Sequence, residues 1–218
     1  MAQKKKNTKN LAEKKAAKEK AAREKNLKLA AYIAAGVAVF VGLFFGILAL
    51  SGVFSYTPEA TNHASVLLDN GYTLHIELYG KDADVTVNNF LSLCQNGYLE
   101  GKALHTVKDG RLYGGSLLAD GGKNGIKGEF QSNGIKNKVP MKKGTIVMAR
   151  GDSYDSAYGQ FFILTEDQPE LEGEYAAFGK ITDLEVLEKI MKDVNVDEHG
   201  IVKSAPKILT VSLHDAHH

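Results

Sequence analysis

Residues Gly144–Ile181 read "GTIVMARGDSYDSAYGQFFILTEDQPELEGEYAAFGKI". Three short apolar runs, at 144–149, 159–164 and 175–181, are separated by loops rich in Gly, Asp, Ser and Glu. Each run has the length of a strand rather than a helix, and glycine punctuates the joints between them. The stretch therefore reads as consecutive strands of an antiparallel sheet.

The same texture continues on both sides. Ala64, Val66 and Leu68 alternate up to "DNGY", and Tyr72, Leu74, Ile76 and Leu78 alternate away from it. That pattern predicts a hairpin, with Asn70-Gly71 as the two positive-φ positions of a type I′ turn. Further strand-like runs fall at 103–107, 111–118 and 126–130, and "KILTVSLH" closes the chain. Two segments have helical periodicity. One covers about 84–96 and stops at Gly97; Val87, Phe90, Leu91 and Cys94 form its apolar face. The other covers 183–194, with Thr182 and Glu185 as a capping box and Leu187, Ile190, Met191 and Val194 as its stripe. Many short strands with only two helices predict a mainly antiparallel barrel or sandwich with helices at its ends.

Charge divides the 218 residues into unlike parts. Residues 1–28 carry eleven Lys and Arg against three Glu, a net +8, which leaves −7 on the remainder. Between them "LAAYIAAGVAVFVGLFFGILAL", Leu29–Leu50, runs without a charge. As a helix it would be about 33 Å long, enough for a hydrocarbon core of about 30 Å. It shows no amphipathic face and exceeds the h-region of a cleaved signal, so it reads as a retained signal-anchor. Positive-inside bias then places the N-terminus in the cytoplasm and the rest outside a cell membrane crossed once. The lysine-rich head has no aromatic to stack a base, so it reads as a topology signal beside a lipid bilayer and not as a nucleic-acid site. The resulting organisation is a basic cytoplasmic segment (1–28), an anchor (29–51), a linker (52–62), a folded domain (63–213) and a tail (214–218).

Several tempting motifs carry nothing. The glycines of "GGSLLADGGKNGIKG" lack the Lys-Ser/Thr pair and the following helix that a phosphate loop needs. His214, His217 and His218 form a tail with no second shell, so no metal site and no cofactor is expected. Cys94, the single cysteine, lies on an apolar helix face and reads as a small hydrophobe.

At Met148-Ala149-Arg150, Gln160-Phe161-Phe162-Ile163, Leu171-Glu172-Gly173 and Phe178-Gly179-Lys180 the chain resembles the cyclophilin-type peptidyl-prolyl cis-trans isomerases. "TVNNFLSLCQNGYLEGKALH", "IKGEF" and "KKGTIVMAR" match as well, and the resemblance covers about residues 63–213. It implies an eight-stranded antiparallel β-barrel capped by two helices, and action on X-Pro bonds of polypeptides. It also implies a groove. Gln160, Phe162, Met148, Ala149, Leu112, Tyr113 and Tyr175 fall at substrate-binding positions of the family. Phe162 matches the floor of the proline pocket.

The chemistry asked of such a groove is narrow. Twisting a peptide bond meets a barrier of about 18–20 kcal/mol, and unaided X-Pro isomerisation takes about 10–100 s. A catalyst grips the proline and favours the twisted amide over the planar one. In the family an arginine donates to the prolyl nitrogen, and here that position is Thr106. A one-residue deletion after Val107 aligns Gly110 with the family's pocket phenylalanine, Arg111 with an aliphatic pocket residue and Tyr113 with a groove glutamine. A hydroxyl does not replace a guanidinium fork, and loss of such a donor costs about 2.7–4 kcal/mol in the transition state. Arg111 and Tyr113, two apart on a strand, share a face, so Arg111 is a candidate substitute. The sequence leaves two readings: a weak membrane-tethered isomerase of exported polypeptides, or a degenerate module that binds peptides or a partner protein. It leaves the oligomeric state undetermined.

Overall fold

A computed structural model describes residues 56–215, together with Lys20, Arg23, Lys25 and Leu27. The chain divides into two units, Met1–Ser55 and Tyr56–His218. The expected anchor, most of the basic segment, and His217 and His218 lie outside the described residues. Among those that are described, no helix is long and apolar enough to cross a membrane.

The second unit is built on eight strands: β1 (Asn62–Leu68), β2 (Thr73–Leu78), β3 (Ala103–Lys108), β4 (Arg111–Gly115), β5 (Thr145–Met148), β6 (Gln160–Leu164), β7 (Ala177–Ile181) and β8 (Ile208–Asp215). Their order is β3-β4-β6-β5-β7-β2-β1-β8, with every pair antiparallel. The two ends approach each other. Ala103 and Lys207 form a bridge, Leu104 N–H donates to the Pro206 carbonyl at 2.9 Å, and Ile208 N–H donates to that of Lys102 at 2.8 Å. The sheet is thus a partly closed barrel, with two helices, α1 (Asp84–Gln95) and α2 (Leu184–Asp193), packed against it. The run at 126–130 contributes only an isolated bridge, Ile126 to Ala157, and no ladder.

Alternation sorts the side chains into two clusters. The inner one collects Val66, Ile76, Leu104, Leu112, Ile146, Met148, Phe161, Ile163 and Phe178 from the strands. Val87, Phe90 and Leu93 of α1 and Leu187 and Ile190 of α2 complete it. The outer one collects Tyr79, Val147, Ala149, Phe162, Leu164 and Ala177 under Val139, Met141 and Leu171. Strands β5 and β6 lie between the two clusters, and every one of their residues is buried. That is why their sequences read as continuous apolar runs and not as alternation.

Local turn and cap chemistry differs from expectation at three places. Gly71 has φ +86°, but Asn70 does not share it, and Gly71 N–H donates to Leu68 O while Leu68 N–H donates to Tyr72 O. The β1–β2 loop is therefore three residues ending in a left-handed glycine. Thr182 and Glu185 form no capping box: the cap residue is Asp183, with no side-chain cap bond. Instead Thr182 Oγ1 donates to the His75 carbonyl at 3.3 Å and Asp183 Oδ1 accepts from His75 N–H at 3.2 Å, pinning α2 to β2. The start of α1 is capped from far away. The buried Glu129 carboxylate accepts from Val85 N–H, Thr86 N–H and Thr86 Oγ1 at 3.0, 2.8 and 2.7 Å. A negative group on the positive end of a helix dipole satisfies donors that Ala83 cannot.

Cys94 is part-buried against the inner core, and loss of solvent pushes its thiol up to about 12. It is protonated and inert at neutral pH, as its place in the sequence suggested.

Candidate functional site

The candidate groove is the outer face of β3, β4 and β6. Registers Arg111–Leu164, Tyr113–Phe162 and Gly115–Gln160 put these six residues on that face. The middle row continues through Val147 to Ala177. Tyr113 and Tyr175 flank the Phe162 ring at 5.3 and 5.7 Å between centroids, the second edge-on. Ala149 belongs to the same cluster.

Arg111 closes the other side. Its guanidinium carbon is 5.4 Å from the Phe162 centroid, within the range of a cation–π contact. Its Nε–H donates to Gln168 Oε1 at 2.7 Å, and Gln168 Nε2 in turn donates to the Asp109 carbonyl at 2.6 Å. No described carboxylate forms a salt bridge with it. Phe162 is left only 1% exposed under this cover.

Arg111 is aimed by the turn before it. Asp109 and Gly110 both have positive φ, 50° and 70°, so β3 and β4 are joined by a two-residue turn with the backbone of a type I′ hairpin. A Cβ on Gly110 would lie 2.2 Å from Glu166 Oε1 and 2.5 Å from Gln168 Nε2. Gly110, which the resemblance sets at the family's pocket phenylalanine, is thus a turn glycine. The two-residue connection leads straight into β4 and sets Arg111 on the outer face.

Thr106 lies at a bulge. Leu104 pairs with Gly114 and Thr106 with Tyr113, so His105 and Thr106 together oppose one residue of β4. His105 Nε2 is 3.2 Å from the Ser116 carbonyl, which can only accept, so Nε2 carries the proton. Burial lowers the His105 pKa, with the Ser116 bond acting the other way, and so favours the neutral ring. Nδ1 is then an acceptor, and the Thr106 hydroxyl donates to it at 2.8 Å. The one proton Thr106 could offer a prolyl nitrogen is already engaged. Gln160, also buried, donates from Nε2 to the same Ser116 carbonyl at 2.8 Å.

Two expected groove residues face the other way. Leu112 and Met148 belong to the inner cluster, Leu112 because it alternates with Arg111 and Tyr113, Met148 because it pairs with the inward-facing Phe161. Their side chains line no groove. Two others emerge to which the sequence assigned no site role. Gln168 is buried and clamps Arg111. Arg150 is stacked among Phe130, Tyr154 and Tyr175 at 5.3, 5.0 and 4.8 Å, with Nε donating to the Glu174 carbonyl at 3.2 Å. It holds Tyr175 against Phe162. Tyr154 follows four residues on, but Phe130 and Tyr175 lie 20 and 25 residues away along the chain, which no local spacing announces.

A concavity of about 770 Å³ opens elsewhere, between the β1–β2 turn and residues 202–207. Its lining mixes Asp69, Asp193, Lys203 and Lys207 and shares no residue with the groove.

The candidate site is thus an aromatic ring on the outer face of a curled antiparallel sheet, flanked by an amide and a cation. Comparison with known proteins makes the class specific. The sequence profile of the cyclophilin type peptidyl-prolyl cis-trans isomerase/CLD family matches residues 64–213, and the chain belongs to that family. A peptidyl-prolyl cis-trans isomerase of Helicobacter pylori is 34% identical over 133 residues, covering 60% of this chain and 80% of the relative. Peptidyl-prolyl cis-trans isomerase B of Bacillus subtilis is 33% identical over 137 residues, covering 60% and 95%. Among solved structures, a cyclophilin type isomerase of Cryptosporidium parvum, determined with the dipeptide Ala-Pro, superposes with TM-score 0.61. At 22% identity, over 70% of this chain and 99% of that one, this likeness concerns the fold.

Proposed function

We propose that the chain is a slow isomerase of X-Pro bonds, tethered to the cell membrane with its groove outside, and that Arg111 takes the role left vacant at Thr106. The observation that carries this is the Arg111 guanidinium over the Phe162 ring, on the groove face and without a described carboxylate partner. As the amide twists, the prolyl nitrogen's lone pair localises, and an N–H of that guanidinium is the donor that stabilises it. Gln160 and the backbone of β4 and β6 hold the neighbouring peptide groups, while Phe162, Tyr113, Tyr175 and Ala149 contact the ring. No covalent bond forms or breaks. Turnover is slow because Arg111 must leave the face of Phe162 before a proline can use it.

The tether rests on the sequence: the charge-free run 29–50, preceded by net +8. Protease added outside intact cells should digest the domain and spare the head. Full protection would remove the topology.

The catalytic reading is tested with the full-length protein in detergent micelles, following isomerisation of an Ala-Pro peptide. Arg111→Ala should lower kcat/KM by about 10²–10³, and Thr106→Arg should raise it. Unchanged activity in Arg111→Ala would take the role away from Arg111. A second reading, a peptide-binding module without useful catalysis, is favoured by the near-complete cover over Phe162. Proline peptides that bind without being accelerated would establish it.

A further inference from the structure

The aromatic floor of the groove is covered, while apolar surface lies bare just past the end of β4. Leu117 and Leu118 are 78% and 73% exposed, the most exposed large apolar side chains of residues 56–215, and they are adjacent. Others of this unit, such as Val85 and Leu209, have no exposed large apolar neighbour in the sequence. Single exposed hydrophobes need no explanation, but a neighbouring pair beside a groove does.

The backbone that carries the pair is pinned on both sides to the groove. Ser116 N–H donates to the Gly159 carbonyl at 2.8 Å, and the Ser116 carbonyl accepts from Gln160 and His105. Gly115 permits this approach: its φ is +84°, and a Cβ there would lie 2.3 Å from the Gly159 oxygen. Leu118 N–H donates to Ser116 Oγ at 3.3 Å, and Ala119 packs against the cluster containing Phe162. The leucines therefore stand at a fixed place, at the end of the groove opposite Arg111.

We infer that Leu117 and Leu118 form an apolar subsite that grips a hydrophobic side chain of the bound polypeptide, about three residues from the proline. The inference rests on the groove reading above and adds a preference to it. The spacing follows from β4 itself. Tyr113 marks the Phe162 row, and Leu117 is four residues further on, with the left-handed Gly115 shortening the path. An extended ligand advances about 3.3 Å per residue, so it covers that distance in about three. Other occupants fit less well. A stable self-association interface buries about 800 Å² on each partner, well beyond what two leucine side chains supply. An anionic membrane surface does not suit a body of net charge −7, with Asp120 two residues away.

The test uses full-length protein and fluorescent proline peptides in pairs, with Leu or Ser at the second, third or fourth residue from the proline. Binding is read by anisotropy and turnover is read separately. In the wild type the best Leu peptide should bind roughly tenfold tighter than its Ser twin. The double variant Leu117→Ser, Leu118→Ser should shrink that preference to within about twofold and leave the Ser peptide unchanged, while Leu209→Ser should leave the preference intact. A preference that survives the double variant overturns the subsite. So does equal weakening of both peptides, which would report the loop's shape. Loss of self-association or of vesicle binding in the double variant, with peptide preference intact, would assign the leucines to a second copy or to lipid. Binding with the preference but without turnover refutes the catalytic reading and leaves the subsite standing. Binding of no peptide refutes both.

Discussion

Leu112 and Arg111 are neighbours on β4, and the pleat sends them to opposite sides of the sheet. Leu112 is wholly buried between Leu104, Phe161 and the rest of the inner cluster. Arg111 lies over Phe162, on the outer face. The inner face answers to packing alone, so it keeps the ordinary alternation of an antiparallel sheet. The outer face holds the candidate groove, and there the resemblance to the family implies a deletion, a lost arginine and a gained one together. One strand thus serves both the packed core and the candidate groove, one residue out of phase.

The largest expected effect belongs to the inner face. Leu112→Ala should lower unfolding stability by about 2–5 kcal/mol, because the void it leaves is walled by other strands. Activity per folded molecule should persist below the new Tm. Arg111→Ala, one residue away, should show the opposite pattern: the loss of turnover described above with a Tm close to wild type. Denaturant melts paired with activity assays check both. A large Tm loss in Arg111→Ala would mean the guanidinium is a structural cover for Phe162, and the two faces would no longer be separable.

What could be read in advance follows the same division. Two-residue alternation, short apolar runs and helix periodicity all depend on local sequence, so the strands around Ile76, Phe161 and Phe178 and both helices were legible. The type I′ geometry was legible in kind but not in place: Asn70-Gly71 looked right, and Asp109-Gly110 has it. In the first loop a third residue, Asp69, takes up the turn, which frees Asn70 from positive φ. Matching family motifs gave Gln160, Phe162, Tyr113 and Tyr175 their place but put Leu112 and Met148 in the groove, because a motif does not record which way the pleat points. Glu129 at the start of α1, Gln168 under Arg111 and Arg150 among three rings were invisible. Tyr154 apart, their partners are 20 or more residues distant along the chain, and only the folded sheet brings them together.

A smaller effect should come from His105, at the border between the two faces. Its pKa is lowered in the native protein, chiefly by burial. As pH falls through about 6.5, the unfolded chain takes up a proton that the folded one resists. Stability is therefore intact above that pH, declines as pH drops toward the folded pKa, and then levels. The carboxylates of Asp155 and Asp167, held low by hydrogen bonds to Gly128 N–H and to Lys142, lose their contribution only in more acidic solution. Melting curves between pH 7.5 and about 5 should show the decline in wild type and a flatter profile in His105→Asn. Equal slopes would mean that His105 is not kept neutral by the fold, and the hydrogen-bond direction assigned to Thr106 would lose its support.

The smallest effect sharpens the comparison most. The resemblance sets Thr106 at the family's catalytic position, yet its hydroxyl is engaged with His105 Nδ1. Thr106→Val keeps the β-branched shape that suits β3 and removes only the hydroxyl. It leaves one acceptor of His105 unpartnered, which costs about 1 kcal/mol at a half-buried site. Isomerisation should change by less than about threefold, far from the 10²–10³ expected at Arg111. A fall of that larger size in Thr106→Val would show that the hydroxyl turns into the groove during reaction, and the donor would then belong on β3, where the family has it, rather than across the turn on β4.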